Sequence, residues 1–267
     1  MGAAITPDQR NVTTRDLWAD YRQHDKMAED RHEIWTFYVA RPLSFPVTAL
    51  CLRLGVSANQ ATALSVPVFA VGALLLAFGS WRPAVAGALL INAWLVIDCV
   101  DGNIARYRRT ASSFGGFADA ISGYVVLGTV SFSAGIGAFV QPSHTLLGQW
   151  LGWGPADLAF ALIAGAWASL ASLWIRLVYQ KWTNTFPTAG EGRHDLMPSE
   201  GSGAPSLLAR AARFGNNLLN ISGLLLPLLL VAVLLRALDL FVVVSALGNT
   251  GILVLALRKI LRASAPR

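Results

Sequence analysis

Charge is scarce in this 267-residue chain. Asp, Glu, Lys and Arg make up 13% of it, against 54% hydrophobic residues, and mean hydropathy is +0.51. Soluble globular domains carry about 25% charged residues, so the composition excludes that class. Cysteine is scarcer still. Cys51 and Cys99 are the only two, too few for a disulfide framework. Cys99 stands beside Asp98, but its neighbours are hard oxygen donors, so it reads as a core residue and not a metal ligand. The N-terminus begins polar and lacks the charged-then-apolar pattern of a signal peptide, so the apolar segments are expected to stay in the mature protein. No P-loop, GxSxG, HExxH or CxxC motif occurs, and no internal repeat is visible. The net charge of +6 does not point to nucleic acid. Its cations sit at the ends of apolar runs, as membrane topology requires, and not along a groove or basic arm.

What is present is a succession of long apolar runs. The sequence predicts an all-α, polytopic membrane helical bundle of six transmembrane helices with an N-terminal interfacial amphipathic helix. Residues 1–30 are polar and expected to be partly disordered. Residues 31–54 alternate His32, Glu33, Arg41 and Arg53 with Trp35, Phe37, Tyr38, Leu43 and Leu50, the pattern of a helix lying on a membrane surface. Pro42 and Pro46 are expected to kink or break it. The membrane domain then occupies 55–262, with 263–267 a tail. A span needs about 20 apolar residues. The runs lie near Gln60–Gly79, Pro83–Tyr107, Phe114–Val140, Ala156–Tyr179, Leu218–Leu235 and Leu240–Leu257. Ser57-Ala58-Asn59 is the capping approach to the first.

Loop cations set the orientation. One side collects Arg41, Arg53, Arg108, Arg109, Lys181, Arg193, Arg210, Arg213, Arg258, Lys259 and Arg262. The other has Arg82 and Arg236, and the Gln141–Pro155 loop has no Lys or Arg. The positive-inside rule therefore predicts a multi-pass protein of a cell inner or plasma membrane, with both termini cytoplasmic. Thr183–Pro205 reads as a cytoplasmic loop, and His144, on the opposite side, is expected to be solvated. Small residues at Gly128, Ser131, Gly135 and Ala138, and at Ala161, Gly165, Ala168, Ser169 and Ser172, permit close helix approach, within one bundle or across a homodimer.

The chemistry concentrates in Val96–Tyr124, where Asp98, Asp101, Asp119 and Arg106 adjoin the apolar runs. Carboxylates near a bilayer core are costly and usually functional. Asp98, Asp101 and Ala105 share one helix face, and Asp119 opens the next apolar helix after a short basic turn. Two helices joined so tightly are expected to be antiparallel neighbours with converging carboxylates, the donor set that Mg²⁺ or Mn²⁺ uses to hold a diphosphate. The alternative is a buried ion network with Arg106, Arg108 and Arg109.

Asp98-x-x-Asp101-Gly102-x-x-Ala105-Arg106, eight residues, then Gly115-x-x-x-Asp119 resembles the DxxDGxxARx8GxxxDxxxD signature of the CDP-alcohol phosphotransferases. Arg41-Pro42-Leu43-Ser44 and Ser57-Ala58-Asn59-Gln60-Ala61-Thr62 resemble the stretch leading into that family's first span. The resemblance implies a CDP-linked donor at the cytoplasmic face, an alcohol acceptor that displaces CMP, and a role in lipid synthesis. It implies Asp98, Asp101 and Asp119 as ligands of divalent metal. Gly102, Ala105 and Gly115 would let the nucleotide approach closely, and Asn59, Thr62, Asp98 and Arg106 would face it.

The chain departs from the signature once. The fourth aspartate, the family's proposed base, falls at Gly123. Neither Ser122 nor Tyr124 replaces it at neutral pH. Three readings stay open. The acceptor is already ionised, with Gly123 leaving it room. Or another group is the base: Glu191, His194, Asp195, Asp25, Glu29, Asp30, His32, Glu33 or Asp119. Or the protein is a non-catalytic nucleotide- or lipid-binding relative. Arg176, inside the fourth span, and Lys181 at its end read as snorkelling side chains or as contacts for an anionic lipid or small polar acceptor. A transporter is disfavoured, because the charges cluster at one face and not at the midplane.

Overall fold

Of the segment 1–30, expected to be partly disordered, residues 1–11 lie outside the described residues, and the rest holds two helices, Thr14–Tyr21 and Lys26–Asp30. The structure, a computed structural model, describes residues 12–185, 215 and 217–264. Helix α1 (Thr14–Tyr21) starts in a capping box: Asp16 N donates to Thr13 Oγ1 (3.3 Å) and Thr13 N to the Asp16 carboxylate (2.9 Å). Eight residues make a marginal helix in isolation. Docking supplies the rest, since Leu17 and Tyr21 are buried in a cluster with Phe45, Ala49 and Leu52. A short α2 (Lys26–Asp30) follows.

A π-turn over Thr36–Ala40 leads directly into α3 (Arg41–Arg53). The expected break at the prolines does not occur. Pro42 falls in the first turn of α3, where a missing N–H forfeits little. Pro46 lies inside the helix, and burial of Phe45, Ala49 and Leu52, at about 1.5–3 kcal/mol for each large apolar side chain, outweighs its lost hydrogen bond.

Among the described residues, five helices are long and apolar enough to cross a membrane. They are α4 (Ala58–Phe78), α5 (Trp81–Tyr107), α6 (Ser113–Val140), α8 (Ala159–Thr185) and the Leu238–Arg258 part of α10 (Leu238–Ser264). The fifth run of the sequence gives a shorter apolar helix, Ile221–Leu234, made of a π-turn (Ile221–Leu225) and α9 (Leu226–Leu234). No strand occurs among the described residues. The chain is an all-α polytopic bundle. Of the predicted loop Thr183–Pro205, all beyond Thr185 lies outside the described residues.

The most extensive packing joins α4 to α5, α6 to α8 and α8 to α10. The small-residue faces of α6 and α8 meet each other within the chain. A side chain on Gly165 would collide with Ser131 O at 2.5 Å, and one on Gly135 with Ala161 O at 2.8 Å. Phe132 N also donates to Ser169 Oγ across this contact (3.1 Å). Backbones so close forgo side-chain bulk for direct packing, the usual driving force between helices in lipid. By contrast, α5 and α6 stand further apart than the tight turn between them suggests. Helix α4 packs against both, and Trp94 Nε1 reaches Ser122 Oγ across the gap (3.3 Å). The separation leaves room for a cavity.

At the far end, α7 (Leu146–Leu151) is capped by Asp239, whose carboxylate accepts from Leu146 N (3.1 Å) and Leu147 N (3.2 Å). His144 is buried there, at 3% exposure, against the expectation of a solvated side chain. Burial, with Arg236 nearby, pushes its pKa below the usual histidine value, so it is neutral at physiological pH.

Candidate functional site

Three local signals bring the motif residues to one end of the bundle. Ser57 and Gln60 form a capping box that starts α4 and sets Asn59 and Thr62 in its first turns. Helix α5 ends at Tyr107, and Arg109 turns the chain in the left-handed region (φ 54°). Ser112 then caps α6, accepting from Gly115 N at 3.0 Å. Asp98 and Asp101 thus lie one turn apart on α5, with Asp119 in the second turn of α6.

Each of these aspartates offers a carboxylate oxygen, and the three oxygens lie within 4.8 Å of one another. Thr62 Oγ1 donates to Asp101 Oδ2 at 2.5 Å. The buried Oδ1 of Asp98 has no hydrogen-bond partner. Among the described residues, no ion pair reaches the three aspartates. Of the arginines expected in a buried ion network, Arg106 donates to Asn103 Oδ1 (3.0 Å) and Arg108 to Val56 O (2.9 Å). Three clustered carboxylates with an orphaned buried oxygen, and no ion pair to them among the described residues, fit a divalent cation, which takes oxygen ligands of this type.

The cluster opens on a cavity of about 670 Å³. Asn59, Thr62, Gly102, Ala105, Arg106 and Gly115 all border it, as do Gly123 and Arg176. Lys181 does not; it lies exposed near the end of α8. At Gly123 an added Cβ would meet nothing within 4 Å, so the place of the missing aspartate is open space.

The N-terminal segment, which the sequence offered as one source of a base, forms part of the cavity wall. Lys26, Asp30, Glu33 and Arg41 border the cavity. Asp30 is fully buried. Its Oδ2 accepts from Tyr21 Oη (2.8 Å) and from Arg41 Nε (2.8 Å), and Arg41 Nη2 approaches it at 2.7 Å. Lys26 Nζ lies 3.1 Å from Oδ1. Burial alone would raise the Asp30 pKa, but the charges of Arg41 and Lys26 and the Tyr21 hydroxyl outweigh it and hold the carboxyl below its ordinary value. Arg41 also donates to Asn103 Oδ1 (2.9 Å), and Asn103 Nδ2 donates to Ser44 Oγ (2.9 Å) and Thr48 Oγ1 (3.2 Å). This network ties α2 and α3 to the motif helix α5. Glu33 differs from Asp30. Burial raises its pKa above the ordinary glutamate value, with Lys26 opposing.

The fold and site together define a class: a multi-pass helical membrane protein with an acidic, cation-competent cavity at one end of its bundle. Residues 56–188 match the model of the CDP-alcohol phosphatidyltransferase family, and the chain belongs to that family. The matched stretch runs from the start of α4 through α8 and contains Asp98, Asp101, Asp119 and Gly123. The family's chemistry is transfer of a phosphate-linked group from a CDP-alcohol. No curated protein matches the chain.

Proposed function

We propose that the protein transfers a substituted phosphate group from a CDP-linked donor to an acceptor at the cytoplasmic face of the membrane, releasing CMP, in phospholipid or related lipid synthesis. The observation that carries this reading is the convergence of Asp98, Asp101 and Asp119, with Asp98 Oδ1 unpartnered, on a polar cavity. Mg²⁺ or Mn²⁺ held by these carboxylates would neutralise the donor diphosphate and the departing CMP. Thr62 orients Asp101 by its hydrogen bond. Asn59, Gly102, Ala105, Arg106 and Gly115 form the nucleotide side. Gly123 and Arg176 form the acceptor side, where Arg176 would face an anionic group. The excess of loop cations on the motif side supports the cytoplasmic orientation.

The test is CMP release by the purified protein with Mg²⁺ or Mn²⁺ and a panel of CDP-linked donors and acceptors. Acceptor-dependent CMP is the expected result. The open space at Gly123 favours one other reading, a relative that binds nucleotide or lipid without transfer. Metal-dependent donor binding with no CMP from any pairing would establish it.

A further inference from the structure

Outside the Asp98–Asp101–Asp119 cluster, the acidic side chains bordering the cavity among the described residues are Asp30 and Glu33. Asp30 is committed to Tyr21, Arg41 and Lys26. Glu33 takes no part in that ion pair among the described residues, and Lys26, Asp30, Arg41 and Ser222 are its electrostatic neighbours. Its backbone is fixed on both sides by the segment that precedes α9. Ile34 N donates to Asn217 Oδ1 (3.3 Å), and Asn217 Nδ2 donates back to His32 O. Thr36 Oγ1 donates to Ser222 O (2.9 Å). Glu33 and Ser222 therefore meet on the wall of the cavity that also holds Gly123.

We propose that Glu33 is the catalytic base of the transfer, taking the proton of an acceptor hydroxyl in place of the carboxylate that position 123 lacks. The proposal rests on the phosphotransferase reading and narrows its acceptor to a hydroxyl compound. As the hydroxyl oxygen bonds to the donor's distal phosphorus, the bond from that phosphorus to the bridging diphosphate oxygen breaks. The electron pair leaves with CMP, and the proton stays on Glu33. Lys26 and Asp30 of α2, Arg41 of α3 and Ser222 are the polar groups that face Glu33. Burial brings the carboxyl nearer to neutrality than an ordinary glutamate, in the direction a general base needs.

The experiment uses the full chain with Mg²⁺, CDP-diacylglycerol as donor, and glycerol, myo-inositol or methylphosphonate as acceptor. Glu33→Gln should lower CMP release with the hydroxyl acceptors about 10²–10⁴-fold, remove the acid limb of the pH–rate profile, and keep Mg²⁺-dependent donor binding. Gly123→Asp added to Glu33→Gln should restore transfer, because it supplies a base from the other wall; a purely structural role for Glu33 would not be rescued so. Undiminished transfer by Glu33→Gln overturns the proposal. So does an inactive Glu33→Gln that binds donor but is rescued by neither Gly123→Asp nor Glu33→Asp, or that has lost donor binding. Wild-type CMP release with methylphosphonate alone overturns the base while leaving the transferase standing. No CMP from any acceptor overturns the transferase reading, and the base with it.

Discussion

Thr62 approaches the acidic cluster from α4, a helix that contributes no carboxylate to it. Its hydroxyl donates to Asp101 Oδ2 (2.5 Å), with Ala58 O a more distant acceptor (3.2 Å), so the Asp101 oxygen that faces it is fixed in direction. Outer partners of this kind are worth about 10–100-fold in metal affinity when removed. Thr62→Val should therefore weaken Mg²⁺-dependent binding of a CDP-linked donor by about that factor, whereas Asp98→Asn should abolish it. Titration calorimetry on the two variants checks both; unchanged affinity in Asp98→Asn would rule out the metal assignment. At this scale Asp98 and Asp101 were legible in the sequence, because their spacing along one helix face is local, and Asp119 because only a short turn separates its helix from theirs. Asn103, between Asp101 and Arg106, was not. Its partners Arg41, Ser44 and Thr48 lie on α3, and no periodicity names a partner on another helix.

At the scale of elements, the five long apolar helices follow their sequence runs because each of those runs alone is long enough to demand burial in lipid. The N-terminal helices were missed for the converse reason. They are short and polar, and their order comes from docking on α3 and α5. The central tie is Asp30. Asp30→Asn would leave the Arg41 guanidinium buried without its anion, a loss of about 3–5 kcal/mol, read as faster hydrogen exchange over α1 and α2. The pH dependence follows from the direction of the shift. The Asp30 pKa is depressed in the folded protein, so its contribution is present above the unfolded carboxyl value of about 3.9 and lost as pH falls through the lower folded value. Exchange protection attributable to this pair should hold from neutral pH to about pH 4, then drop, and Asp30→Asn should lack that step. Glu33 acts in the opposite sense. Its raised pKa makes its contribution full below the unfolded value and lost as pH rises through the folded one.

For the whole molecule, the fifth of the six predicted spans is the one that comes out short. Ile221–Leu234 spans about 20 Å at about 1.5 Å per residue, short of the roughly 30 Å of a hydrocarbon core. Its contacts nevertheless reach both ends of the bundle. It begins beside Ser222, on the wall of the acidic cavity. It ends where Trp81 Nε1 donates to Val233 O (3.1 Å) and Arg236 lies over the Trp81 ring (5.5 Å). Trp81 opens α5, and α5 itself runs from that end to Asp98 and Asp101. A helix that links the same two levels as a full span would cross with it, its irregular start at Asn220 and Gly223 being of the kind tolerated where a broken helix lines a cavity. Arg236 then turns the chain (φ 53°) and α10 returns it to the motif side. With a sixth crossing at Ile221–Leu234 both ends would come to one face, which the excess of loop cations would make cytoplasmic. Reporters fused in turn to Met1 and Arg267 should both read cytoplasmic. Reporters on opposite faces would mean that Ile221–Leu234 does not cross.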